Sequence, residues 1–264
     1  MPNSHFMTLT FLVAIGLVAS PVAGSPAGHL TQEPVSEFRL SAAEDPEALY
    51  KQREDLGSAK RAAILWGEHA TNDYDTAWKL ARVCYWLGTH LPEKERIAEL
   101  DRGIAAGQGA VKLAPTRPEG HFWMAANMGE RAQMSDAYAY ANKAKIKAEL
   151  ELVIKIEPGW QGGSAEAALG QWYAKVPSSK LFSLIGAGGG DPKLAEYWFQ
   201  RALKYDAHNK PAMSFYADLL IEKNRKAEAR KMLEQLIADP VTPEWAPEEN
   251  EFKRSAIERL NKLK

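Results

Sequence analysis

The sequence predicts an all-α fold: a superhelix of about four antiparallel helix pairs, closed by a C-terminal capping helix. Three observations carry this. Helix ends recur with one pattern, at Lys112-Leu113-Ala114-Pro115, Lys155-Ile156-Glu157-Pro158, Lys204-Tyr205-Asp206-Ala207 and Ile237-Ala238-Asp239-Pro240. The segments between them place a small residue at a matching position, with large residues on either side. Strand signals are scarce, with no run of alternating β-branched residues bounded by turns.

The successive ends lie 43, 49 and 33 residues apart. The last spacing is close to the period of about 34 that marks the tetratricopeptide repeat. The other two equal that period plus an insertion, placed at 132–140 (AQMSDAYAY) and 176–190 (VPSSKLFSLIGAGGG). The expected architecture is therefore tetratricopeptide-like.

Residues 1–24 read as a secretory signal peptide. No charged residue lies between Phe6 and Gly24. Pro21 breaks any helix, and Val22-Ala23-Gly24 offers the small residues that a signal peptidase reads. The missing Lys or Arg ahead of the apolar run departs from that pattern, and an uncleaved anchor is the alternative. The expected location is periplasmic or secreted. No cysteine stands at the cleavage site to carry a lipid. A polar linker follows over 25–44, and the helical domain runs from 45 to 264. Asp45-Pro46 is a helix N-cap followed by proline at the first helical position. Residues 46–70 supply a leading segment ahead of the pairs.

Within the pairs, the first helices carry Trp78, Ala81 and Tyr85; Phe122, Ala125 and Met128; Leu169, Gly170 and Tyr173; and Tyr216, Ala217 and Leu220. The second helices carry Ala105, Ala110 and Val111; Ala144, Ala148 and Leu152; Ala195, Phe199 and Ala202; and Ala229, Leu233 and Leu236. Small residues let antiparallel helices approach closely, and large ones fill the gaps beside them. One pair cannot bury its apolar stripe alone, so the pairs stack. Residues 247–263 form the capping helix, with a polar outer face.

Composition excludes some functions. A formal net charge of −1 gives no electrostatic reason to expect a nucleic-acid partner. The single cysteine, Cys84, forbids an intramolecular disulfide and reads as a small buried hydrophobe. The glycine run 186–190 precedes a helix but lacks the Lys-Ser or Lys-Thr of a phosphate loop, and Asp191 would repel phosphate. None of the six histidines pairs at metal-ligand spacing, and no nucleophile elbow occurs. His121, in Gly120-His121-Phe122-Trp123, is the strongest candidate for a catalytic base. It sits where Pro115 ends one helix and Pro118 starts the next, so a structural joint is the favoured reading. No catalytic residue, metal or cofactor is expected.

The aromatic residues point to binding. First helices line the inner surface of such arrays. The register turns Trp78, Arg82, Tyr85, Glu119, Phe122, Gln171 and Lys175 toward that groove. Aromatic rings with interspersed polar groups suit a binding surface.

With the repeats placed, the sequence resembles the TatT-like components of tripartite ATP-independent periplasmic (TRAP) transporters. The stretches that carry the resemblance are Tyr74-Asp75-Thr76-Ala77-Trp78-Lys79-Leu80-Ala81-Arg82 with Tyr85-Trp86-Leu87-Gly88, then Pro118-Glu119-Gly120-His121-Phe122-Trp123, Gly162-Gly163, Leu169-Gly170, Gly189-Gly190-Asp191 and Pro243-Glu244-Trp245. It runs from about Tyr50 to the C-terminus. The resemblance implies a periplasmic, non-enzymatic helical protein whose partner is the transporter's solute-binding protein. It also implies a groove or pore for a small hydrophobic ligand, and homo-oligomers. The chain lacks the lipobox cysteine of lipid-anchored members. A cell-envelope assembly factor is the alternative within the binding class. An enzyme using His121 as base and the glycine insertion as a lid is the alternative outside it.

Overall fold

The computed structural model describes residues 44–176 and 189–263. The signal peptide expected at 1–24, the linker up to residue 43 and most of the insertion at 176–190 lie outside the described residues. Asp45–Lys264 forms one compact unit. Among the described residues there are eleven α-helices and no strand.

An N-terminal hairpin, α1 (Pro46–Lys51) and α2 (Leu56–Gly67), leads into four antiparallel pairs. These are α3 (Tyr74–His90) with α4 (Glu93–Leu113), α5 (Pro118–Gln133) with α6 (Asp136–Ile156), α7 (Trp160–Lys175) with α8 (Pro192–Tyr205), and α9 (Lys210–Glu222) with α10 (Lys226–Ala238). A 3₁₀ turn, Pro243–Trp245, starts the final helix α11 (Ala246–Lys262).

The helix boundaries follow from local chemistry. Asp45, Asp55, Asp73, Ser135, Asp191 and Asn209 each accept a hydrogen bond from a first-turn N–H of the helix they precede. That satisfies donors the helix cannot pair internally. Pro118, Pro192 and Pro211 stand where a missing N–H costs nothing. The Asp191 cap ends the glycine insertion; its carboxylate accepts from Lys193 N at 2.8 Å.

Each first helix packs on its own partner, and its small residue sits at the contact. Ala81, Ala125 and Ala217 are buried, and Gly170 lies against the Phe199 ring. In the last two pairs the expected second-helix stripe is also buried, at Ala195, Phe199, Ala202, Ala229, Leu233 and Leu236.

The first two pairs differ from the expected register. Ala105, Ala144 and Ala148 are exposed. In α4 the buried face is Leu100, Gly103, Ile104, Ala106, Gly107 and Ala110, so Ala110 lies on it as expected and Ala105 does not. At Gly107 a β-carbon would stand 2.7 Å from Met124 Cβ, so glycine sets the α4–α5 approach. In α6 the buried stripe is Ile146, Leu150, Val153 and Ile154. The segment 132–140 does not interrupt a unit either. It continues α5, turns once at Met134-Ser135, and forms the first turn of α6. The extra residues lengthen two helices, and α6 reaches 21 residues. Alanine favours helix at exposed and buried positions alike, so it misplaced the buried face.

One turn breaks the regular pattern. At the start of α7, Gly159, Gln161, Gly162 and Gly163 have φ of 76°, 45°, 66° and 86°. Left-handed backbone suits glycine and costs a non-glycine residue such as Gln161. At Gly163 a β-carbon would also lie 2.8 Å from Ala202 Cα. Asn209 Nδ2 donates to Gly162 O at 2.9 Å and holds the turn against the next pair. The direct contact of α5 with α7 is sparse, and α6 carries most of the junction.

Candidate functional site

The residues expected in the groove divide into four groups. Trp78 and Arg82 join the N-terminal hairpin. The Arg82 guanidinium is buried, lies 3.9 Å from the Tyr50 ring centroid, and has Trp78 at 5.0 Å and Trp66 at 5.6 Å. Its Nη2 donates to Glu47 Oε1 at 2.9 Å. Burial opposes ionisation of Glu47, yet the Arg82 charge and Lys79 outweigh it and hold the carboxyl below its usual range. Arg82 thus ties α1 and α2 to α3.

Glu119 is fixed at the start of α5. It accepts from Tyr74 Oη at 2.8 Å and pairs with Arg117 at 2.9 Å. Gln171 and Lys175 stand on the far part of α7. The Gln171 Oε1 is buried without a hydrogen-bond partner among the described residues, and Lys175 is exposed and pairs with Glu222 at 2.8 Å.

Tyr85 and Phe122 are brought together. Tyr85 on α3 lies 5.8 Å from Trp123 on α5. Phe122 meets Trp123 edge-on at 5.2 Å and Trp160 of α7 at 4.8 Å. The four rings form a ladder across three consecutive first helices. Such contacts add to area burial when rings are offset or edge-on. Tyr85 and Phe122 are only half-buried, while Trp123 and Trp160 form their backing. Burial, then the nearby Glu130, Glu248 and Glu251 charges, push the Tyr85 hydroxyl well above the ordinary tyrosine range, so it stays a neutral donor.

The acids beside Tyr85 were not legible as site residues. Glu248 and Glu251 lie on α11, whose polar residues were expected to face outward. Instead, the first half of α11 returns to the N-terminal hairpin. Arg53 Nε donates to Glu248 Oε1 at 2.8 Å, and Nη2 donates to Glu248 Oε2 and to Glu244 O. Trp86 Nε1 donates to Arg53 O at 2.7 Å. His90 stacks on Trp86, and its Nε2 meets Glu251 Oε1 at 2.8 Å. Trp245 packs on the cluster of Tyr50, Trp66 and Trp86. The second half of α11 packs on the last pair, through Ala256 against Met213, Ala217, Leu233 and Leu236. Phe252 stands edge-on to Phe215 at 6.0 Å. One helix therefore joins both ends of the array. Nothing in a single sequence separates Glu248 from the many other surface acids; Trp245 was the available signal.

His121 is a joint. Its Nδ1 lies 2.6 Å from Glu149 Oε2 and its Nε2 3.0 Å from Pro115 O. Both ring nitrogens face acceptors, so neither is left to take a proton from a substrate. Cys84 is buried, and burial, with Glu99 beside it, pushes its thiol far up, away from reactive thiolate. Among the described residues no cluster of His, Cys, Asp and Glu could hold a metal ion, and no helix is long and apolar enough to cross a membrane.

Repeated antiparallel pairs, a half-exposed aromatic ladder and a capping helix define a helical-repeat scaffold of the tetratricopeptide type. A tetratricopeptide repeat family model matches residues 187–246. A thermophilic tetratricopeptide protein of Thermus thermophilus has a similar fold, with a TM-score of 0.57 at 15% identity, over 83% of this chain and 96% of that one. No curated protein matches the chain significantly. Repeats of this type generally mediate protein–protein interaction.

Proposed function

We propose that the protein is an exported, non-enzymatic binding scaffold that serves TRAP-type transport as a TatT-like accessory component, contacting a solute-binding protein. The observation that carries the binding role is the ladder Tyr85–Trp123–Phe122–Trp160, in which the partly exposed Tyr85 and Phe122 stand on successive first helices over the buried Trp123 and Trp160. Rigid aromatic anchors of this kind dominate binding energy at interfaces. The transport assignment rests on the resemblance and on the apolar segment before residue 25. A small hydrophobic ligand would use the same rings.

The experiment is mild crosslinking of the affinity-tagged protein in its own cells, followed by mass spectrometry. The reading expects an identified solute-binding protein, lost when Tyr85 and Phe122 are both replaced by alanine. Recovery of cell-envelope assembly machinery, or a catch indifferent to the double variant, overturns the transport role. Fractionation tests export: protein confined to the cytoplasm overturns it.

A further inference from the structure

We propose that the pocket around Arg53 is a docking site for an acidic, tryptophan-bearing helical segment of a protein partner, and that residues 244–251 of the chain occupy it until the partner displaces them. The proposal rests on the binding-scaffold reading and names the chemistry that the scaffold recognises.

The pocket has the form of a carboxylate receptor. The Arg53 side chain is almost fully buried, yet among the described residues its only donor contact to its own hairpin is Nη1 to Tyr50 O at 3.3 Å. Nε and Nη2 are turned toward α11 and grip one carboxylate in a fork. Tyr50 and Trp86 wall the guanidinium at 4.6 Å and 5.4 Å. That arrangement fixes the orientation and lowers the cost of holding the charge away from water. His90 adds a second position for an acid one helical turn further along, where Glu251 sits. The aromatic cluster above takes Trp245. Trp-x-x-Glu-x-x-Glu is therefore the pattern the pocket reads.

One feature makes the occupant displaceable. The first half of α11 meets the N-terminal helices through side chains and the last pair through one ion pair, Glu249 to the buried Lys210 at 3.1 Å, whereas its second half is anchored in the apolar cluster of the last pair. Releasing 244–251 thus breaks ion pairs and one aromatic contact and leaves Ala256 and its neighbours packed. The tether also sets the competition. A linked segment acts at an effective concentration of about millimolar, so a free segment of the same affinity competes poorly until the clasp is weakened.

The test uses the full chain and a fluorescein-labelled peptide of residues 241–256, read by anisotropy. The Glu248→Gln, Glu251→Gln chain is expected to bind the peptide at least tenfold more tightly than the native chain. Adding Arg53→Lys, which keeps the charge but loses the fork, should remove that gain. A peptide with both glutamates replaced by glutamine should not bind. No gain on weakening the clasp overturns the proposal, as does a gain that survives Arg53→Lys. Hydrogen exchange on the unaltered chain gives an independent reading: amides 250–253, the first with an intrahelical acceptor, should exchange at least tenfold faster than amides 256–260, and equal protection overturns displaceability. Because the probe is the chain's own segment, failure here leaves the solute-binding-protein reading standing. Failure of that reading leaves this pocket intact.

Discussion

Arg53 and Glu248 lie 195 residues apart and meet in a two-pronged ion pair, with Nε to Oε1 at 2.8 Å. Through it the last helix closes on the N-terminal hairpin. A stacked helical array is held mainly by contacts between neighbouring repeats, and its ends fray independently. This pair couples the two ends, so loss of either terminus should be felt at the other.

That coupling is measurable by a double-mutant cycle on Arg53 and Glu248. Glu248→Ala leaves a guanidinium buried without its partner and should cost about 3 kcal/mol in urea unfolding. Arg53→Met together with Glu248→Ala should cost less than the two single changes summed, with a coupling of about 1–3 kcal/mol. Additive costs would show that the two ends are not linked.

The His121–Glu149 contact should make stability depend on pH. The hydrogen bond to Glu149 outweighs burial and, helped by the Pro115 carbonyl, raises the imidazole above its ordinary range. A group with a raised folded value stabilises fully below the unfolded value of about 6.5, and that contribution is lost as pH rises through the folded value. Glu149→Gln should therefore cost about 1 kcal/mol at pH 6 and almost nothing at pH 9. A cost that grows toward alkaline pH would contradict the assignment.

Glu130 gives a second pH signature, for a different reason. Burial raises its carboxyl from 4.5 to about 7, against the lowering pull of Arg96. Its contribution is intact below about 4.5 and is lost as pH climbs through about 7, because folding then confines a charge in the interior. Glu130→Gln should match the native chain near pH 4.5 and exceed its stability by on the order of 2 kcal/mol at pH 8. Chemical denaturation at the two pH values decides it.

The left-handed turn at the start of α7 should tolerate little change. Gly163→Ala asks a β-carbon to stand 2.8 Å from Ala202 Cα at a φ of 86°. The expected loss is about 2–3 kcal/mol, seen as a lowered Tm. Gln161→Gly, at a φ of 45°, should instead hold or raise the Tm, since it relieves a strained residue at the same turn.

What the sequence made legible follows from what each residue type can do. Proline and a capping acid end or begin a helix wherever they fall, so the four helix ends were readable within a residue or two. Ala81, Ala125, Gly170 and Ala217 mark the close contacts because large neighbours on the same face leave room for nothing else. Ala105, Ala144 and Ala148 carry no such constraint; they were expected at the contacts and are exposed. Arg82 could be placed on the inner side of α3 but not in the grip of Glu47, a partner on another helix. The same holds for Arg53 and Glu248, whose meeting depends on the summed curvature of four pairs. Tyr85 and Phe122, expected on one side of neighbouring first helices, each meet Trp123, as one register over consecutive repeats requires.

That register gives the ladder its own test. Tyr85→Ala and Phe122→Ala remove half-exposed rings and leave Trp123 and Trp160 behind them, so each should cost about 1–2 kcal/mol of stability, less than a core truncation. Loss of partner or ligand affinity should be larger, at least tenfold for each, because an anchor ring at an interface contributes more than its share of area. Trp123→Ala discriminates in the other direction: it empties the backing of the ladder and should cost about 3–5 kcal/mol of stability. Binding and unfolding measured on the same three variants separate the two roles. Equal losses of stability at Tyr85, Phe122 and Trp123 would mean that the ladder is core and that the binding surface lies elsewhere.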